Sequence, residues 1–292
     1  MRATQEVASD SHSIEISGGM IDIELASRPA AVSNEQLTMW IRTAARAVST
    51  YYGRFPVKRV TLEISTDARK HQINGRTYDG RRITLDFGPD VTAADLGDDW
   101  ILTHEMFHLA FPDMGDEHEW MNEGLSTYLE PIARARIGTL SPERVWHDMV
   151  EGMPQGLPEE NDRGLDRTHT WGRTYWGGCL FWLLADIRIR EQTNQHRALD
   201  DALRAILDAG GDGSVTWPVS RVIETGDRAT DTHVLRDLYD QEAMKPDRVD
   251  LDALWKRLGV RSTGDAAVFD DSAPLAPIRK AITAKVPIQI HK

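Results

Sequence analysis

The chain has a single cysteine, Cys179. An intramolecular disulfide is therefore excluded, and the redox compartment stays open. Basic residues are in the minority: 34 Lys and Arg against 46 Asp and Glu give a formal charge of -12, which argues against a nucleic-acid backbone as the main partner. No run of about 18 apolar residues occurs, so no transmembrane helix is expected. Residues 1–17 lack the apolar core of a signal peptide, which leaves two readings, a cytoplasmic chain or one from which a leader has been removed. A composition of 40% hydrophobic and 27% charged residues excludes low-complexity, collagen-like and disordered classes. No internal repeat is visible, and nothing in the sequence fixes the oligomeric state. What is present in excess is tryptophan: nine in 292 residues, with Trp100, Trp120, Trp146, Trp171, Trp176 and Trp182 in one central stretch. That length can bury a large core, as one domain or two lobes.

The first third reads as strands around one helix. Residues 13–16 and 20–25 alternate apolar and polar side chains around Gly18-Gly19, a hairpin signal. Residues 33–52 place Leu37, Trp40, Ile41, Ala44 and Val48 at helical spacing, with Ser33 or Asn34 as cap and Gly53 as stop. Residues 57–65 and 82–87 read as strands, and the polar, Gly-containing stretch 66–80 as a loop. From about Asp98 the pattern turns helical, over 99–111, 117–137, 142–151, 171–191, 198–209, 218–225 and 231–241. Residues 152–170 form the longest irregular loop, and the tail from Leu251 predicts one short helix and a Pro-rich, weakly basic end. The expected class is α+β, with a strand-rich lobe over 1–97 and a helical lobe over 98–292 that together make one unit.

Chemistry concentrates at His104-Glu105-Met106-Phe107-His108, a His-Glu-x-x-His pattern on a helix. Residues i and i+4 share a face, so both imidazoles can reach one ion. Two neutral imidazoles and a carboxylate suit Zn²⁺, one per chain, with a fourth position left for water. Glu105 projects beside the metal, where it can take a proton from water and later deliver it to a leaving amine. The apolar Met106, Phe107, Leu109 and Ala110 fit a buried helix, and two satisfied core histidines are the plain alternative. Pro112 to Asp116 supplies a turn, after which the chain descends from about Asp116 to Glu123. Seven residues at ~1.5 Å each return it level with His108, which makes Glu123 a reasonable third ligand. Glu119, one turn earlier on the same face, is the fallback, or simply a helix-start acid.

The pattern, followed by Trp120-Met121-Asn122-Glu123-Gly124-Leu125-Ser126-Thr127-Tyr128, resembles the gluzincin metallopeptidases, especially the glycyl aminopeptidase and aminopeptidase N families. The resemblance implies a thermolysin-like two-lobed zincin fold with zinc between the lobes, and Glu123 as third ligand. The usual gap between the second His and that Glu is eighteen residues. Here positions 109 to 122 make it fourteen, and a hairpin about one helical turn shorter keeps the phase of Glu123. Thr174-Tyr175-Trp176-Gly177 resembles the families' Tyr-x-Lys/Arg-Gly helix, whose Tyr stabilises the oxyanion. That role maps onto Tyr175, against the alternative of one more core aromatic. The basic residue of that motif is Gly177 here, so its role is not carried over. Gly177 and Gly178 would allow close packing under the site. In the related thermolysin-like enzymes a His is the oxyanion donor, which makes His169 the runner-up. Thr127 matches a Ser/Thr of the motif and is placed to support a ligating His. Residues 254–260 and 269–276 also look like the end of the glycyl aminopeptidase catalytic region.

The implied activity is hydrolysis of a peptide or protein substrate. Aminopeptidase action is slightly favoured by the resemblance, yet the Gly-x-Met-Glu-Asn segment that helps bind the free amine in the aminopeptidase N family is missing before His104. The corresponding region, residues 74–85, offers Asp79 or Asp86 instead. It could still receive an extended substrate as an added strand. Endopeptidase action, hydrolysis of a non-peptide amide and a catalytically silent binding module are the other readings.

Overall fold

A computed structural model describes residues 10–286. The amino-terminal end and the last part of the basic tail lie outside the described residues. Strand β1 (Asp10–Ile16) turns through Ser17 and Gly18, whose φ of 86° suits glycine, into β2 (Gly19–Leu25), and Ile14 stands opposite Ile21. The alternation read from sequence is real: Ile21, Ile23 and Leu25 are all buried. β2 continues in parallel register into β3 (Arg59–Thr66), and β3 into β5 (Arg82–Phe87). The fifth strand, β4 (Asn74–Tyr78), pairs antiparallel with β5 and leaves its other edge free among the described residues, giving the order β1-β2-β3-β5-β4. This corrects the expected loop over 66–80. Asn-Gly-Arg-Thr-Tyr carries no hydrophobic alternation, so β4 exists through its ladder to β5 across the left-handed pair Asp79 (φ 49°) and Gly80 (φ 58°).

Helix α1 (Asn34–Tyr52) starts at a capping box, Ser33 with Gln36, and stops at left-handed Gly53. Its buried stripe faces the core, where Trp40 meets Phe87 edge-on at 5.7 Å. A short α2 (Ala93–Asp98), which hydrophobic spacing does not announce, precedes α3 (Ile101–Phe107), continued by one 3₁₀ turn over His108–Ala110. The remaining helices are α4 (Glu119–Ile137), α5 (Pro142–Gly152), α6 (Gly178–Gln192), α7 (Leu199–Asp208), α8 (Val219–Thr230), α9 (Val234–Glu242), α10 (Leu251–Leu258) and α11 (Ala276–Ile282). The tail therefore holds more than the one helix expected: the hairpin β6 (Val260–Thr263) and β7 (Ala266–Phe269) turns at Gly264 (φ 59°) and leads into α11. The architecture is mixed helix and sheet, with a five-stranded sheet followed by most of the helices.

The helices are centred on α6, which is buried almost all round. It crosses α4 where Gly124 meets Gly178. A Cβ on Gly178 would sit 2.1 Å from the Trp120 carbonyl oxygen, and one on Gly124 2.3 Å from the Gly178 backbone. No other residue permits that approach. Beside the crossing, Asp186 is buried yet satisfied, accepting from Tyr128 Oη (3.0 Å), Arg190 Nε (2.8 Å) and the Leu199 backbone N–H (3.1 Å).

Candidate metal centre

Two helices converge beneath the free edge of β4. α3 presents His104 and, at its end, His108. α4 runs back against it and presents Glu123, and one donor atom from each of the three residues lies within 4.8 Å of the others. His104 Nε2 is 3.1 Å and His108 Nε2 3.5 Å from Glu123 Oε2. Ligands bound at about 2.0–2.1 Å in tetrahedral arrangement stand roughly 3.3 Å apart, so this spacing and the N, N, O donor set fit zinc. The charges agree with that fit. Burial lowers His108, but the hydrogen bond and charge of Glu123, with Glu105 and Asn122, prevail and hold it up at about 9. Burial raises Glu123, but the two imidazoles prevail and keep it well below the usual carboxylate range. A carboxylate held between imidazoles is a site where a cation can replace a proton.

The surrounding side chains fix these groups. His108 Nδ1 lies 3.4 Å from Asn122 Oδ1 and 3.3 Å from Ser126 Oγ, and Asn122 in turn donates to the Pro112 carbonyl at 3.0 Å. The support expected from Thr127 thus comes from Ser126. Thr127 sits on the Glu119–Glu123 face and donates its hydroxyl to the Glu123 carbonyl at 2.8 Å, whereas residues 122 and 126 form the neighbouring column that faces His108. The first turn of α4 is clamped by buried Asp166, which accepts from Trp120 Nε1 (2.7 Å), His118 Nδ1 (2.9 Å) and Tyr239 Oη (2.6 Å).

Glu105 is buried beside the cluster, and β4 holds it. Thr77 Oγ1 is 2.7 Å from Glu105 Oε2 and 2.8 Å from its carbonyl oxygen. Gly75 makes room for it, since a Cβ there would lie 2.7 Å from Glu105 Cγ. Neither contact is legible in the sequence, because the strand that supplies them has no strand pattern. Tyr175 occupies a π-helical turn, Arg173–Gly177, just before α6. Its ring stacks on Trp171 (5.6 Å) and faces His104 (6.3 Å), while Trp100 meets His104 edge-on at 5.3 Å. Burial, then the carboxylates of Glu123, Glu119 and Glu105, push the Tyr175 phenol up, so it keeps its proton at neutral pH.

His104, Glu105, His108, Glu119, Glu123 and Tyr175 all line one cleft of about 800 Å³, together with β4 and residues 213–216. Asp79 also lines it, whereas Asp86 accepts from Ser65 Oγ at 2.6 Å on the sheet. His169 is exposed on its loop and does not line the cleft. The far end of β4 is bounded where Gly213 packs on Gly80 and its N–H bonds the Leu109 carbonyl at 3.0 Å.

By sequence, the chain matches no family model and no curated protein. By structure it is similar to an aminopeptidase N family protein from Idiomarina loihiensis, with a TM-score of 0.67 at 13% identity, over 87% of this chain and 49% of that one. It is also similar to the M1 zinc metallopeptidase from Deinococcus radiodurans (TM-score 0.54, 13% identity, 82% of this chain and 52% of that one). A mutant of that enzyme bound to a Tyr-Ser-Ala substrate gives 0.53 at 13% identity, over 83% and 53%. The chain has the gluzincin-like peptidase fold of these proteins and spans about half their length.

Proposed function

We propose that this chain is a zinc-dependent metallopeptidase with His104, His108 and Glu123 as ligands. The observation that carries the proposal is their convergence within 4.8 Å at the floor of a cleft roofed by an unpaired strand edge, with Glu105 held beside them. Zinc held there would supply Lewis acidity, polarising the scissile carbonyl and making water easier to deprotonate. The protein's own groups do the rest. The free edge of β4 pairs with an extended peptide. Glu105 takes the proton of the attacking water and passes it to the leaving amine nitrogen, its carboxylate aimed by Thr77. Tyr175 donates its phenolic hydrogen to the developing oxyanion. The two-lobed reading, residues 1–97 and 98–292 with the site between, belongs to the same proposal.

Within it, aminopeptidase action is the reading favoured here. Asp79 and Glu119 line the cleft and supply carboxylates for a free amine, and the 213–216 segment bounds one end. Purified protein is expected to bind about one zinc per chain, and Glu105→Gln to keep the metal but lose turnover. Absence of zinc after growth in zinc-supplemented medium would overturn the assignment. Cleavage of free-amine peptides but not N-blocked ones marks the aminopeptidase, and equal cleavage an endopeptidase.

A further inference from the structure

A second cavity, of about 590 Å³, opens on the other side of His104 and Tyr175, which line both spaces. Its walls are aromatic. Trp100 and Trp171 are 50% and 60% exposed, the only tryptophans so exposed among the described residues, and half-buried Trp176 lies between α5 and Tyr175. Two exposed indoles in one cavity lining leave a large apolar area to be covered by whatever enters.

The base of the slot is Glu130 on α4, only 7% exposed. Arg134 Nη1 donates to Glu130 Oε1 at 2.9 Å, while Oε2 has no hydrogen-bond partner among the described residues. Burial pushes this carboxyl up to about 7, with Asp99 and Asp148 adding to the rise and Arg134 opposing it. That second oxygen is open to a donor from a bound ligand. The remaining charges have the same sign. The lining carries four carboxylates (Asp98, Glu130, Asp148, Glu151) against two guanidiniums, and both guanidiniums are engaged, Arg134 by Glu130 and Arg144 by Asp148.

We propose that this cavity is the pocket for a substrate side chain with a long stem and a cationic head, arginine or lysine, at one of the two positions flanking the cleaved bond. The stem lies against the indoles, where an arginine also gains cation–π attraction. The head completes the hydrogen bonding of Glu130. The proposal rests on the metallopeptidase reading for its meaning in catalysis, but the pocket can be tested without turnover.

Two measurements decide it. In a peptide panel varied on each side of the bond, arginine is expected to exceed its neutral isostere citrulline in kcat/KM by about tenfold at one position only. Glu130→Gln is expected to bring that ratio near one. Because Glu130 is buried, Glu151→Gln at the rim is the second variant, expected to lower the same ratio. In the zinc-loaded Glu105→Gln protein, tryptophan fluorescence is expected to respond to arginine amide at lower concentration than to citrulline amide. Equal responses, or a preference for norleucine or phenylalanine over arginine, would overturn the pocket assignment. Discrimination of the amides without cleavage of any peptide by the wild type would support the pocket and overturn the peptidase reading.

Discussion

Replacing Gly178 by alanine tests whether the α4–α6 crossing sets the site. The added Cβ would lie 2.1 Å from the Trp120 carbonyl oxygen and 2.8 Å from Gly124 Cα. Both obstacles are backbone, so the helices must separate by about 1 Å, because close-packed interiors have no slack to absorb a methyl group. Overpacking of this kind costs about 3 kcal/mol, and the better helix propensity of alanine returns about 1. The net loss of ~2 kcal/mol lowers Tm by about 3–4 °C in a chain of this size. The same separation moves Tyr175 away from Glu123, and a misplacement near 1 Å can cost ~100-fold in rate. Two controls calibrate the result. At Gly177 the new methyl would meet Leu165 Cδ2 at 3.0 Å, Arg173 Nη1 at 3.1 Å and the Gly156 carbonyl oxygen at 3.2 Å, contacts tight by only a few tenths of an ångström, so a smaller loss of about 1 kcal/mol is expected. At Gly97 in α2 nothing lies within 4 Å, so alanine is expected to be neutral or to gain up to about 1 kcal/mol. The assay is thermal melting by circular dichroism beside peptide turnover. A Gly178→Ala protein that melts with the wild type and keeps its kcat would refute the reasoning.

Glu123→Gln should weaken zinc retention on dialysis by at least ~10-fold, since the carboxylate bridging the imidazoles is lost; unchanged metal content would shift the ligand to another residue. Thr77→Val should lower kcat by roughly tenfold with little change in KM, and Thr77→Ser should restore it. Equal activity of the two variants would leave the hydroxyl without a part in holding Glu105. Tyr175→Phe should reduce kcat ~10²-fold while KM stays near wild type, and an effect on KM alone would argue for a packing role. Glu242 gives a pH test of stability. Burial and Asp247, opposed by Arg173 and Arg188, raise it from 4.5 to about 7. Between those values the folded chain binds more protons than the unfolded one, so stability falls as pH rises across that window, by up to ~3 kcal/mol. Glu242→Gln should flatten that slope in denaturation curves, and an unchanged slope would place the proton elsewhere.

Much of the secondary structure was legible because local physics writes it into the sequence. Ser33, Gln36 and Gly53 delimit α1 by capping alone, and Ile21, Ile23 and Leu25 report the inward face of β2. Where the signal failed, the cause was non-local. β4 is held by pairing to β5 and has no apolar alternation of its own. Val219–Thr230 runs five residues past its expected end, because the left-handed stop at Asp231 (φ 55°) is a backbone state that Asp adopts without advertising it. The π turn around Tyr175 has no sequence signature.

The cleft divides in the same way. Helical spacing brings His104 and His108 onto one face, and the return of the chain along α4 brings Glu123 level with them; both follow from 3.6 residues per turn. Sequence also placed Glu105 beside the proposed ligands and allowed Gly178 to pack closely. The partners of those groups were decided by tertiary structure. Thr77 reaches Glu105 from an edge strand 28 residues earlier in the chain, and Ser126 rather than Thr127 supports His108 because the rotation of α4 turns one column toward the imidazole. Trp100 and Trp171 line one cavity only because α3 and the π turn pack on the same helix. Periodicity fixes which residues share a face of one element, whereas packing between elements fixes what that face meets.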